Sequence, residues 1–271
     1  MTGETYRSVD GLSVELSGTV LRLLLDRPAQ RNAIDDTMMA ALIDSVDAAG
    51  RDESVRVIHI AGRGDHFCAG ADIVARNAGE QRRPRVGAIQ RRLPSQAHRL
   101  IPLLCTVQVP VVCAVQGWAA GIGLQIAAAA DFTVVADDAR LWEPFSARGF
   151  TPDSGATWLL PRLIGMTRTR ELLLLGRQLQ GSEAAEWGLV HRAVSADDVT
   201  PVADELATTL AEGPTVALGL TKWLLQAGAS LPLEDHLRNE GFAMELSSRS
   251  EDFREGLSAF KDHRPPEFKG R

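Results

Sequence analysis

VPVVCAVQGWAAGIGLQIAAAAD, residues 109–131, carries no charge before its final aspartate and joins a β-branched run to a glycine-spaced turn and an alanine-rich segment. Val111, Val112 and Val115 suit a buried strand, and residues 125–130 suit a packed helix. Between them Gly117, Gly121 and Gly123 permit backbone angles and close approaches that a Cβ hinders. A strand–turn–helix leaves free N–H groups at the helix N-terminus, where they hold an anion or an oxygen that becomes one during a reaction. Three other readings compete. The length suits a membrane span, against which stand the glycines, Gln116, Gln125 and a mean hydropathy of −0.06. A dinucleotide turn needs a third glycine that Gly121-Ile122-Gly123-Leu124-Gln125-Ile126 lacks. Core packing without chemistry stays open on this stretch alone.

Working outward, 271 residues are enough for a full core, either one large domain or one domain with an appendage. With 45% hydrophobic and 24% charged residues the composition is that of a soluble globular protein. The net charge of −6 argues against a nucleic-acid-binding body. The first residues, MTGETYRSVDG, show no basic segment followed by an apolar run, so no secretory signal is expected. Cys68, Cys105 and Cys113 lie in apolar contexts and cannot all pair, which suits free thiols in a reducing cytoplasm. No zinc-type spacing joins them to a histidine, and no metal is expected.

Residues 12–16 and 20–26 read as a hairpin about Ser17-Gly18-Thr19. Asp35, Asp36 and Thr37 offer a cap to a helix with Met38, Met39, Leu42, Ile43 and Val46 on one side. Residues 55–61 form the next strand, with His59 an ordinary member of it. Residues 62–73 form a small, polar loop with exposed backbone donors, and the arginine-rich residues 76–94 read as a solvated loop. Residues 132–136 return as a strand. A turn-rich cluster, residues 149–157, follows, in which Asp153 can cap the helix of Trp158, Leu159 and Leu160. Residues 190–194 are a last short strand. Helices are expected at 199–211, 215–226, 233–247 and 251–259. The composition shift near residue 195 divides the chain into a core, residues 1–195, and a helical region, residues 196–271.

Three segments resemble the crotonase, or enoyl-CoA hydratase/isomerase, superfamily. Phe67-Cys68-Ala69-Gly70-Ala71-Asp72-Ile73 resembles its first active-site loop, and Ala114-Val115-Gln116-Gly117 through Gly121-Ile122-Gly123-Leu124 its second. The third is the tail, Phe253-Arg254-Glu255-Gly256-Leu257-Ser258-Ala259-Phe260 with Pro265, Pro266 and Phe268; Arg27-Pro28 and Asn32-Ala33 also fit. The resemblance implies an α/β fold, a spiral of ββα units with a C-terminal helical region that makes homotrimers, commonly paired into hexamers. It implies an acyl-CoA substrate whose thioester oxygen lies between two backbone N–H groups, here those of Ala71 and Ile122. It also implies coenzyme A contacts at Ala29, Arg31, Ala33, Ala69, Asp72 and Ile73, with Phe260 and Lys261 from the tail or a neighbouring subunit. Coenzyme A enters as part of the substrate, and no separate cofactor is expected.

Departures from the family pattern bear on the reaction. Its hydratases place glutamates where this chain has Gln125 and Phe145; Phe145 moves no proton and Gln125 only orients groups by hydrogen bonds. The run Phe145-Ser146-Ala147-Arg148-Gly149-Phe150-Thr151-Pro152-Asp153-Ser154-Gly155, continued by Thr157-Trp158-Leu159-Leu160-Pro161-Arg162, resembles ring-1,2-epoxyphenylacetyl-CoA isomerases and Δ3,Δ2-enoyl-CoA isomerases, in which an aspartate here shuttles a proton. A carboxylate between Phe145 and Phe67 is partly desolvated and suits a base. The expected pocket comprises Phe67, Trp118, Gln125, Phe145 and Phe150, and the expected function is a double-bond shift in an enoyl-CoA. Alternatives are a hydratase with non-standard residues, a silent acyl-CoA binder, and a 4-chlorobenzoyl-CoA-type dehalogenase, which pairs its carboxylate with a tryptophan where Phe145 stands. An aspartic protease, suggested by Asp153-Ser154-Gly155-Ala156, needs a second such aspartate in a β-rich fold.

Overall fold

Strands that are buried on both faces need covering layers, and the valine run does become such a strand. The computed structural model describes residues 6–72 and 85–271. The antiparallel hairpin β1 (Leu12–Ser17) and β2 (Val20–Leu25) starts a six-stranded sheet. Its order continues through β3 (Val57–Gly62), β4 (Val111–Val115), β6 (Phe132–Ala136) and β9 (Arg192–Val194), all in parallel pairings. β3 begins at Val57, two residues later than expected; Val55 N donates to Asp52 O and Arg56 N to Thr19 O.

A second, three-stranded sheet orders β5 (Trp118–Ala120), β7 (Arg140–Trp142) and β8 (Gln178–Gln180). β4 and β5 therefore enter different sheets and are followed by the helix Ile122–Ala129; β6 and β7 repeat the step before the helix Ala156–Leu174. This is the expected spiral of ββα units. The helix Asp36–Ala49 carries Met38, Met39, Leu42, Ile43 and Val46 into the core, and Asp35 Oδ1 accepts from Met38 N at 2.9 Å as its cap. His59 is buried within β3, where desolvation lowers its imidazole to about 4.

The last helices, Val199–Ala211, Thr215–Gly228, Leu233–Ser247 and Glu251–Asp262, follow the predicted spans. Ala203, Ala207 and Ala211 press the first of them onto the large sheet. The second is pinned to the central stretch: buried Lys222 Nζ donates to Asp131 Oδ2 at 2.6 Å and to Leu104 O at 2.9 Å, while Asp131 Oδ2 also accepts from Val111 N. The start of β4 is thereby fixed. No helix among the described residues is long and apolar enough to cross a membrane.

Candidate active site

Two backbone turns and one acidic segment surround a cavity of about 590 Å³. The first turn is held on both sides. Cys68 N donates to Trp118 O, and Ala120 N to Cys68 O, joining the loop to β5. On its other side Ile34 N donates to Gly70 O and Asp72 N to Ile34 O. Asn32, fully buried, donates from Nδ2 to Arg63 O and His66 O. These bonds leave Ala71 between two anchored neighbours.

The second turn puts its unusual angle on Gly121 (φ 51°, ψ −124°), so Ile122 is the first residue of an ordinary helix. Non-glycine side chains are disfavoured at positive φ, and an isoleucine one residue later meets no such restriction. A Cβ on Gly123 would lie 2.6 Å from Cys68 O, which explains why the two turns approach so closely. Ala71 and Ile122 line the same cavity. Among the described residues neither backbone N–H has a hydrogen-bond partner.

The acidic segment follows β7. Phe145 and Phe150 line the cavity and pack edge-to-face at 5.4 Å. Asp153 lies on the same wall, half-buried, and its Oδ1 accepts from Ser154 Oγ at 2.7 Å. It does not cap the helix that follows. Ser154 (φ 54°) and Gly155 (φ 88°) are both left-handed, which moves the cap position to Gly155.

Behind this wall lies a carboxyl that the sequence reading passed over. Glu143 is 1% exposed and accepts from Gln125 Nε2 at 2.8 and 2.9 Å. Burial pushes its affinity for a proton well above that of an ordinary glutamate; the Gln125 bonds oppose the shift and the nearby Asp153 charge adds to it. Glu143 therefore favours its neutral form, and Gln125 Oε1 beside it is buried without a partner. Its one sequence signal is a charged residue wedged between Trp142 and Pro144, at the end of a strand.

Other expected positions fall elsewhere. Phe67 is fully buried and belongs to the core, and Trp118 packs on Trp142 with ring centroids 6.2 Å apart; neither lines the cavity. Gln125 is likewise behind the wall. Of the residues expected at coenzyme A, Ala69 lines the cavity, Ala29 and Arg31 are exposed, and Ala33 O accepts from Arg27. The Asp72 carboxylate is turned onto Arg27 at 2.9 Å and is not free to meet a ligand. Ile73 lies outside the described residues. Phe260 and Lys261 are exposed on the last helix and do not line this chain's cavity.

The sequence profile of enoyl-CoA hydratase/isomerase proteins matches residues 15–271. The chain belongs to this family. Within the family it is 37% identical over 253 residues to the 1,2-epoxyphenylacetyl-CoA isomerase of Escherichia coli (strain K12), covering 93% of this chain and 95% of that protein. It is 33% identical over 270 residues to the carnitinyl-CoA dehydratase of Proteus mirabilis, covering 96% and 98%. The crystal structure of an enoyl-CoA hydratase from Bacillus anthracis matches with a TM-score of 0.89 at 30% identity, covering 96% of this chain and 100% of that one. The chain is thus an acyl-CoA enzyme of the crotonase superfamily, in a family whose relatives catalyse more than one reaction.

Proposed function

We propose that the protein shifts a double bond in an enoyl-CoA. One observation carries this reading: among the described residues Asp153 is the only carboxylate lining the cavity, and Ala71 and Ile122 line that same cavity. In this scheme the two N–H groups hold the thioester oxygen. Asp153 takes a proton from C2, and the electron pair of that C–H bond moves onto the thioester as an enolate. The double bond between C3 and C4 moves to C2 and C3 as Asp153 returns the proton to C4. Donors fixed before reaction stabilise the developing charge without reorganising. No external cofactor takes part.

Water addition needs groups that position and activate water. Phe145 offers none, and Gln125 and Glu143 bond to each other behind the wall. Isomerase, hydratase and silent binder separate in one assay: the protein is incubated with 3-enoyl-CoA or 2-enoyl-CoA, and interconversion and 3-hydroxyacyl-CoA are followed by chromatography. Interconversion without hydroxyacyl product is expected; hydroxyacyl product alone overturns the proposal.

The same reading extends to assembly and location. Leu225, Leu233 and Phe242 are 74%, 67% and 70% exposed on the helical region that begins at residue 196. Large exposed apolar side chains mark protein–protein contact sites, which supports trimers or hexamers formed through that region. The three buried free cysteines suit a cytoplasmic setting.

A further inference from the structure

Arg92 lines the cavity, yet the proposed proton transfer does not use it and the fold does not satisfy it. It ends the helix Ala88–Arg92, and among the described residues its guanidinium has no hydrogen bond or ion pair. Its Nε is buried without a partner. No other residue lining the cavity has a buried polar side-chain atom left in that state among the described residues. An orphaned buried N–H is costly, and a guanidinium is charged at every accessible pH with donors spaced to meet a carboxylate.

Arg148 lines the same cavity with its guanidinium 5.9 Å from the Trp142 ring centre and, among the described residues, makes no ion pair. The exposed His98 also lines the cavity. Against the two arginines stands, among the described residues, Asp153 alone, whose charge vanishes when it takes the substrate proton. Leu93, Phe145 and Phe150 supply apolar surface on the wall. Among the described residues the cavity lining therefore carries more positive than negative charge, which the reacting thioester does not balance.

We infer that the acyl group ends in a carboxylate received by Arg92 with Arg148, so that the substrate class is a dicarboxylic acyl-CoA. The inference rests on the acyl-CoA reading above. The phosphates of coenzyme A offer the same anionic chemistry. The position favours the acyl end, since Arg92, its Nε buried, lines the same cavity as Ala71, Ile122 and Asp153, where the acyl group reacts.

The test is calorimetric titration of the whole protein with adipoyl-CoA and hexanoyl-CoA, equal in chain length and without a double bond to shift. Adipoyl-CoA is expected to bind about tenfold more tightly, the gain from hydrogen bonds to a charged group. Arg92→Met brings the ratio of affinities close to one, and Arg92→Lys restores part of it. The ratio persists with adipoyl- and hexanoyl-pantetheine, which lack the phosphates. A wild-type ratio near one, a ratio indifferent to Arg92→Met, or a preference that disappears with the pantetheine thioesters overturns the inference while leaving the isomerase reading intact. Failure of both CoA thioesters to bind overturns the acyl-CoA reading and this inference with it.

Discussion

The donor side of the cavity and the acidic side are built on opposite principles. On the donor side, Ala71 and Ile122 contribute backbone N–H groups, and nearly everything around them is held by main-chain hydrogen bonds or glycine contacts. On the acidic side the chemistry lies in side-chain identity. Asp153 faces the cavity, and Glu143, close enough to feel its charge, is sealed behind the wall. A backbone donor does not depend on side-chain identity, whereas a side-chain site changes its reaction with one residue.

The most severe test of that contrast is Asp153→Asn. It removes a proton acceptor at almost constant shape, and turnover of 3-enoyl-CoA is expected to fall by about 10²–10⁴-fold, the usual contribution of a positioned acid–base group. Acyl-CoA affinity, measured by calorimetry, stays close to wild type. Next in size is a pair at Ile122. Proline at the first position of a helix replaces an N–H that has no helical partner, so Ile122→Pro deletes the donor where proline is best tolerated. Its kcat is expected to fall about 10²–10³-fold, the effect of losing one oxyanion donor. Ile122→Ala keeps the N–H and loses far less. Equal losses in the two variants would mean that the side chain, not the backbone, is what matters on this side.

The same contrast explains what could be read from the chain alone. Apolar periodicity gave the helices Val199–Ala211 and Leu233–Ser247 to the residue, and the glycine spacing located the turn before the helix Ile122–Ala129, because these signals are local. Glu143 escaped because burial of a charged residue is a tertiary property: nothing within Trp142-Glu143-Pro144 shows that Gln125, on another element, waits beside it. Phe67 and Trp118 were expected in the pocket for the converse reason. Both sit in turn-rich sequence, and only the pairing of Cys68 with β5 shows that the loop's aromatic faces inward. The left-handed pair Ser154-Gly155 shifted the helix start past Asp153 and left its carboxylate on the cavity wall.

The smallest expected effect comes from Glu143→Gln. The folded protein holds the Glu143 proton more tightly than the unfolded chain does. Its favourable contribution is therefore complete below the ordinary glutamate range and is lost as pH rises through the raised value. Glutamine stays neutral throughout, so the Tm advantage of Glu143→Gln over wild type is expected to grow from mildly acidic to mildly alkaline buffer. Turnover stays near wild type. A loss of turnover as large as that of Asp153→Asn would show instead that the two carboxyls work as a catalytic pair.

The central claim is that Asp153 moves the substrate proton while Ala71 and Ile122 hold the enolate. The most direct measurement is deuterium incorporation into 3-enoyl-CoA and its product in D₂O, followed by NMR for wild type and Asp153→Asn under conditions where both bind the thioester. Exchange at C2 and C4 in wild type, and its loss in Asp153→Asn, is the predicted result. Undiminished exchange in Asp153→Asn would contradict the account.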